Sequence, residues 1–206
     1  MPKLRINLPA HLHFVTTNIH NRIPLFLAER CCQILLSNID FYREKHGFKL
    51  FGYVIMLEHV HLLLGNTEHL TISKTMQLIK YHTAKDILAV LAQRPNWDQL
   101  GRVISRERIE RARRTVGKAW MTDLRTPRSE MFQIENHPSK KATHEIWQES
   151  FYDFGVYSEK KLVEKLDYIH NNPVRWDLAD SPDQYKFSSF RNYFGGETAL
   201  TTDELE

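Results

Sequence analysis

The stretch FKLFGYVIMLEHVHLLL, residues 48–64, decides the fold because it contains two strands and the turn between them. The segments FKLFGYVIM and HVHLLL are rich in β-branched, aromatic and leucine residues, which is typical of buried strands. Leu57 and Glu58 leave room only for a tight turn, so the two strands are predicted to form a hairpin. Side chains alternate along a strand, and His59 and His61 are therefore expected on one face, with Val60 on the other.

Two neutral imidazoles on one strand face are able to bind one divalent cation. The same pair is also compatible with a solvated strand face that binds nothing. The N-terminal segment HLHFVTTNIH contains a second pair with the same spacing, His11 and His13. Spacing alone therefore does not show which of the two pairs is the better candidate for binding a cation.

The composition is that of an ordinary soluble protein. The chain has 206 residues, of which 42% are hydrophobic and 26% charged. No apolar run approaches the length of a membrane span, and the first residues lack the apolar core of a secretory signal. The two cysteines are neighbours, Cys31 and Cys32, which is a poor arrangement for a disulfide. We expect a cytoplasmic protein with no membrane partner.

Positive charge is concentrated in one segment. Residues 101–128 contain nine Lys or Arg and three Asp or Glu, a net charge of +6, whereas the whole chain carries +3. This pattern favours contact with a polyanion, although a solvated helix face would look the same. The candidate DNA-binding residues are Arg106, Arg111, Arg113, Arg114 and Lys118. They belong to a predicted basic helical arm, residues 94–145, inserted in a single domain that spans residues 1–206.

The order of predicted elements indicates an α+β fold with a ferredoxin-like antiparallel sheet and packed helices. The elements are a strand at LHFVTTNIH, a helix over 24–45, the hairpin, a helix over 71–92, the arm, a helix over 159–171 and a short closing strand near YKFSSF. Ser158 is predicted to cap the last helix and Pro173 to end it. The buried stripe of that helix is predicted at Leu162, Val163, Leu166 and Ile169.

A tyrosine on the last helix is a candidate nucleophile. Tyr168 lies off the buried stripe, and Asn172, four residues on, lies beside it. A boundary tyrosine with a solvated hydroxyl would show the same pattern. On composition alone, Tyr152, Tyr157, Tyr81 and Tyr185 are equal candidates.

Four blocks along the chain resemble one known family. They are YVIMLEHVHLLL, IWQESFYDFGVY, LDYIHNNPVRWDL and DQYKFSSF, in this order. Together they resemble the single-tyrosine HUH (His–hydrophobe–His) transposases, the insertion-sequence-200-like family. Within that family they are most similar to the REP-associated tyrosine transposases.

The resemblance implies a function and a site. It implies a central HUH strand, with His59 and His61 as metal ligands, Tyr168 as the nucleophile and Asn172 as the amide that completes the metal site. It further implies a Mg²⁺ or Mn²⁺ cofactor and single-stranded or hairpin DNA as the partner, cut and rejoined through a 5′-phosphotyrosine intermediate. No glycine-rich nucleotide-binding loop is apparent, so no nucleotide cofactor is expected. His11 and His13 have no such role in the family.

Some questions stay open at this stage. One alternative is a domesticated, sequence-specific DNA-binding protein without catalysis, and another is an unrelated metal hydrolase built on both histidine pairs. The sequence does not decide between a monomer and a homodimer. Glu58 replaces the Asn or Asp that often precedes the first histidine in the family, and we expect it on the face opposite His59. The aromatic residues Trp147, Phe151, Tyr152, Phe154 and Trp176 are candidates for base stacking, with core packing as the alternative.

Overall fold

The structure is a computed structural model that describes residues 12–67, 69–93 and 146–205. The predicted basic arm, including Arg106, Arg111, Arg113, Arg114 and Lys118, lies outside the described residues, as does His11.

Four antiparallel strands form one sheet in the order β2-β3-β1-β4. Their bounds are β1 Leu12–Asn18, β2 Lys49–Ile55, β3 His59–Gly65 and β4 Tyr152–Gly155. The hairpin is confirmed: β2 pairs with β3, and Met56 donates its backbone N–H to the carbonyl of His59 across the turn. β3 is also interior, because its other edge pairs with β1, and all seven of its residues are buried. The predicted α+β class and the central HUH strand are thus confirmed.

Helices cover both faces of this sheet. Their bounds are α1 Glu29–His46, α2 Ile72–Gln93, α3 Glu159–Arg175 and the short α4 Phe190–Phe194. α1 packs against α2 and against β2, whereas α3 lies on β2 and β3 on the face that carries the histidines. Cys31 and Cys32 are buried in α1 as free thiols, as expected. Among the described residues, no helix is long and apolar enough to span a membrane.

α3 begins as predicted but ends later than predicted. The Ser158 hydroxyl accepts the backbone N–H of Lys161 at 3.3 Å, which caps the helix. Pro173 does not end α3, which continues to Arg175. Only the last turn follows the proline, so a single internal hydrogen bond is lost and Trp176 still donates to the carbonyl of Asn172. Asn172 therefore remains helical.

The predicted buried stripe of α3 is correct except for one residue. Leu162 and Ile169 are fully buried and Leu166 is half-buried. Val163 is 56% exposed, because it lies 100° around the helix from Leu162 and faces away from the sheet.

The closing strand was predicted at the wrong position in the chain. The fourth strand is Tyr152–Gly155, which pairs with β1. The segment YKFSSF instead runs along the outer edge of β2, where Ser188 makes an isolated bridge with Val54. Farther on, Asp203 exchanges hydrogen bonds with Leu50 at the same edge. The C-terminal segment therefore satisfies backbone groups that an open edge strand would leave unpaired.

A glycine sets the distance between α3 and the sheet. A Cβ atom at Gly52 would lie 2.9 Å from Leu166 Cδ2, and also within 3.5 Å of Ile169 and Leu63. Such a contact is shorter than carbon atoms tolerate, so the absence of a side chain allows the helix to sit close to β2. This close approach brings the next turns of α3 over the histidines of β3.

Candidate active site

His59 and His61 converge on a single point in the interior. They are 7% and 3% exposed, on the face of β3 that α3 covers. Their Nε2 atoms lie 3.1 Å apart, with the rings at 75° to each other. The strand alternation that the sequence predicted therefore places both imidazoles on one face, as a shared site requires.

The opposite nitrogen of each ring has its own partner. Glu58 Oε1 lies 3.0 Å from His59 Nδ1, and Thr16 Oγ1 on β1 lies 2.7 Å from His61 Nδ1. A carboxylate accepts, so His59 donates through Nδ1 and keeps the lone pair on Nε2. Such outer partners hold the rings of metal-binding histidines in orientation. The expectation that Glu58 points away from His59 is wrong, because Glu58 precedes the strand and its side chain is not bound by the alternation.

Asn172 supplies an amide at the same point. Its Nδ2 lies 3.2 Å from His61 Nε2, and the residue is 1% exposed. Its Oδ1 is buried and has no hydrogen-bond partner in the described part of the chain. An unsatisfied buried carbonyl oxygen is costly, and rotation of the amide by 180° would turn this oxygen toward the imidazoles.

This donor set fits a divalent ion. Two imidazole nitrogens bound to one ion at ~2.1 Å, with a right angle between the bonds, lie about 3.0 Å apart. The orphaned amide oxygen is the kind of hard ligand that Mg²⁺ and Mn²⁺ prefer, and the imidazoles also suit later transition metals. Within the described ranges no group of three His, Cys, Asp or Glu side chains forms a metal site. Among the described residues, the amide of Asn172 is therefore the candidate for a third protein ligand.

Burial keeps His61 neutral. Removal from water, together with smaller effects of the neighbouring His59 and of the Lys165 ammonium, lowers the pKa of its imidazole to about 3. A neutral imidazole at physiological pH has a free lone pair, which a cation requires.

Tyr168 reaches the same site from α3. Its ring meets His61 edge-on at 5.1 Å between centroids and Phe14 of β1 at 5.8 Å. The guanidinium of Arg175 lies 5.4 Å from the centre of the Tyr168 ring. The tyrosine is half-buried, so it combines a fixed ring with access from solvent. Helical spacing explains why Tyr168 and Asn172 both face the histidines.

The competing tyrosines lie in other surroundings. Tyr185 is buried and donates its hydroxyl to the carbonyl of Ile55 at 2.7 Å. Tyr81 is on α2, and Tyr157 is 85% exposed beyond β4. Tyr152 pairs with Thr16 and so shares the histidine face of the sheet, at its edge. Tyr152 is therefore the alternative nucleophile that peptide mapping of the adduct must distinguish from Tyr168.

His13, the described member of the second histidine pair, does not contribute to this site. Phe14 and Thr16 contact His61, so His13, which alternates with them, faces the other side of the sheet. There its Nδ1 bonds Asp153 Oδ1 at 2.7 Å. A hydrolase site that combines both pairs is therefore not formed by the described residues.

The candidate stacking residues divide into core and surface. Trp147 is fully buried against Phe26, so it belongs to the core. Trp176 is 36% exposed and its ring lies 6.4 Å from that of His59. Phe154, half-buried on β4, lies under the ammonium of Lys165.

Sequence reasoning missed several residues of the site. Thr16 and Phe14 reach His61 only through the β1–β3 register, for which the local sequence has no signal. Lys165 and Arg175 were detectable, because they lie three residues before and seven after Tyr168 and so share its face of α3.

Comparisons with known proteins bear on the family and the fold. Residues 7–99 match the family model described as "Transposase IS200 like". The structure resembles that of a REP-associated tyrosine transposase bound to a REP hairpin, with a TM-score of 0.57 and 17% sequence identity over 100% of this chain and 94% of the other. A candidate transposase from Deinococcus radiodurans R1 matches with a TM-score of 0.43 and 16% identity, over 83% of this chain and 97% of the other. No curated protein matches the sequence significantly. The family match, over 93 of the 206 residues, agrees with the IS200-like transposase family that the sequence motifs predicted.

Proposed function

We propose that the protein cuts and rejoins single-stranded DNA, with Tyr168 as the nucleophile and a divalent ion bound by His59, His61 and Asn172. The observation that carries this proposal is the convergence of two imidazole Nε2 atoms and the buried Asn172 amide, whose oxygen has no partner among the described residues, beside the ring of Tyr168. A structural histidine pair would not need an unsatisfied carbonyl oxygen at the same point.

The reaction exchanges one phosphodiester for another. The Tyr168 hydroxyl oxygen attacks the scissile phosphorus, and the bond from phosphorus to the 3′-oxygen breaks. The hydroxyl proton leaves the tyrosine, and the departing 3′-oxygen takes up a proton, which gives a 5′-phosphotyrosine and a free 3′-hydroxyl. Attack by a 3′-hydroxyl reverses the step and joins strands, so no nucleotide hydrolysis is required.

The residues of the site have distinct tasks in this scheme. When bound, the divalent ion supplies Lewis-acid polarisation of the phosphate. Glu58 and Thr16 hold the imidazoles in orientation through their Nδ1 atoms. α3 holds Tyr168 and Asn172 at a fixed separation, so the attacking oxygen approaches the phosphate from one direction.

We further propose hairpin DNA as the physiological substrate. The structure of similar fold named above is of a transposase bound to a REP hairpin. The sequence blocks also resemble the REP-associated members most closely. The arm at 94–145, with Arg111, Arg113 and Arg114, is proposed to hold phosphates of the hairpin stem.

The test is covalent capture. The protein is incubated with a labelled single-stranded hairpin oligonucleotide in Mn²⁺ or in EDTA, and then denatured. We expect a protein–DNA adduct in Mn²⁺ only, with its peptide mapping to Tyr168. Binding without an adduct would instead support the domesticated DNA-binding protein, and cleavage without an adduct would support a metal hydrolase.

A further inference from the structure

One face of α3 carries a row of four polar side chains. Lys165, Tyr168, Asn172 and Arg175 are spaced by three, four and three residues, which places them within about 80° of one another around the helix. The two inner members belong to the candidate site. The two outer members are cations to which the proposed function assigns no role.

Aromatic rings hold Lys165 beside the site. Its Nζ lies 4.7 Å from the centre of the Phe14 ring and 4.8 Å from that of Phe154. Both distances are within the range of cation–π attraction. Phe14 in turn stacks on His61 at 5.4 Å, so the ammonium is fixed one ring away from the histidines.

Neither outer cation has a carboxylate partner among the described residues. The acidic side chains near Lys165 along the helix and on β4 have other partners. These pairs are Glu164 with Lys161 at 2.8 Å, Asp167 with Asn171 at 2.8 Å, and Asp153 with His13 at 2.7 Å. Arg175 contacts the ring of Tyr168 rather than an acid. Two cations on either side of one tyrosine, without a countercharge from the described chain, form a place for an anion.

We propose that Lys165 and Arg175 bind the backbone phosphates of single-stranded DNA that flank the scissile linkage, one on each side of Tyr168. This inference rests on the proposed function and names the residues that hold its substrate. Ten residues of helix separate the two Cα atoms by about 15 Å, so they contact different phosphates. The planar guanidinium suits bidentate contact with one phosphate, and the ammonium acts as a point charge on the other.

Lys165 offers well-matched variants. Lys165→Met keeps the aliphatic stem over the two aromatic rings and removes the charge, and Lys165→Arg restores the charge. Lys160→Met is the control, because Lys160 is an exposed lysine of the same helix about 140° around from Lys165. Melting temperatures check that each variant folds.

Two measurements test the proposal. In the first, binding of a single-stranded oligonucleotide is titrated at several salt concentrations. Lys165→Met and Arg175→Met should each flatten the log–log slope by about 0.7, whereas Lys160→Met and Lys165→Arg should leave it unchanged. In the second, adduct formation is timed at DNA concentrations well below saturation, where loss of a charged contact should lower the second-order rate constant about 10- to 100-fold.

A neutral linkage in the DNA then locates each contact. Once the cleavage site is mapped with the wild type, single methylphosphonates replace the flanking phosphates one at a time. The neutral linkage that Lys165 contacts should make the wild type and Lys165→Met react at the same rate. A different linkage should do the same for Arg175→Met.

The outcomes separate the two proposals. If the wild type forms its adduct and Lys165→Met and Arg175→Met behave like Lys160→Met, this inference is wrong and the proposed function stands. If the wild type binds DNA with the expected change of slope in the variants but forms no adduct, the chemistry is wrong and the phosphate contacts stand. A wild type that binds no single-stranded DNA would overturn both.

Discussion

Replacement of Glu58 by glutamine tests whether the carboxylate beside His59 prepares the site for a metal. Glutamine keeps the size of the side chain and an oxygen that can accept from Nδ1, but it removes the negative charge. The Glu58 and His59 side chains are 6% and 10% exposed, so solvent screens their 3.0 Å contact little. A hydrogen bond to a charged group contributes about 1.5–3 kcal/mol, against about 1 kcal/mol for a neutral one. The difference, about 1–2 kcal/mol, corresponds to an affinity for Mn²⁺ lower by about 5- to 30-fold.

The assay is isothermal titration of the purified protein with MnCl₂. Arg22→Gln is the matched control, because its guanidinium lies 3.9 Å from the same Glu58 oxygen but is 62% exposed. An exposed ion pair contributes at most about 1 kcal/mol, so Arg22→Gln should change the affinity less than Glu58→Gln does. Equal affinity of wild type and Glu58→Gln would refute the orienting role of the carboxylate. A wild type that binds no Mn²⁺ would refute the site itself.

Three further predictions follow from the same geometry. Tyr168→Phe should abolish the adduct and keep DNA binding, since only the hydroxyl is removed. An adduct that persists and maps to Tyr152 would show that Tyr168 is not the nucleophile. His59→Ala should abolish Mn²⁺ binding and cleavage, whereas His13→Ala, on the other face of the sheet, should affect neither in the same assays, and comparable losses would contradict the site. In EDTA, the free energy of unfolding should fall as the pH drops from 7 to 4, because burial lowers the pKa of His61 to about 3 and that of His170 to about 4. Between those values and the ordinary pKa of 6.5 the unfolded chain binds more protons, so each histidine contributes a slope of at most about 1.4 kcal/mol per pH unit; urea titrations that give a flat profile would exclude both assignments.

The sequence predicted those parts of the fold that depend on local pattern. The hairpin, the shared face of His59 and His61 and the start of α3 follow from alternation, turn length and capping within a few residues. The end of α3 was predicted wrongly, because the rule for the residue before a proline is weak where the helix has only one more turn. β4 was missed because its four residues include two exposed positions and lack the alternation of a half-buried strand.

The candidate site was predictable only in part. The roles of His59, His61, Tyr168 and Asn172 came from a family resemblance, and the structure brings the four side chains together without testing their chemistry. The contact of Thr16 with His61 depends on pairing between strands 45 residues apart in sequence, which a local pattern does not encode. Such long-range contacts require the sheet register.

The close packing at Gly52 has a consequence for how this site can change. Tyr168 and Asn172 are carried by one helix, and that helix rests on β2 where no side chain intervenes. A methyl group at this position requires the tip of the Leu166 side chain to shift, and a larger side chain would displace α3 and carry Tyr168, the proposed nucleophile, and the Asn172 amide away from the histidines together. Variation that retunes the reaction must therefore occur in side chains along α3, such as Lys165 or Arg175, while the height of the helix above the sheet stays constant. A collection of active variants selected in the laboratory should accordingly accept exchange of Lys and Arg at these two positions and no residue larger than alanine at Gly52.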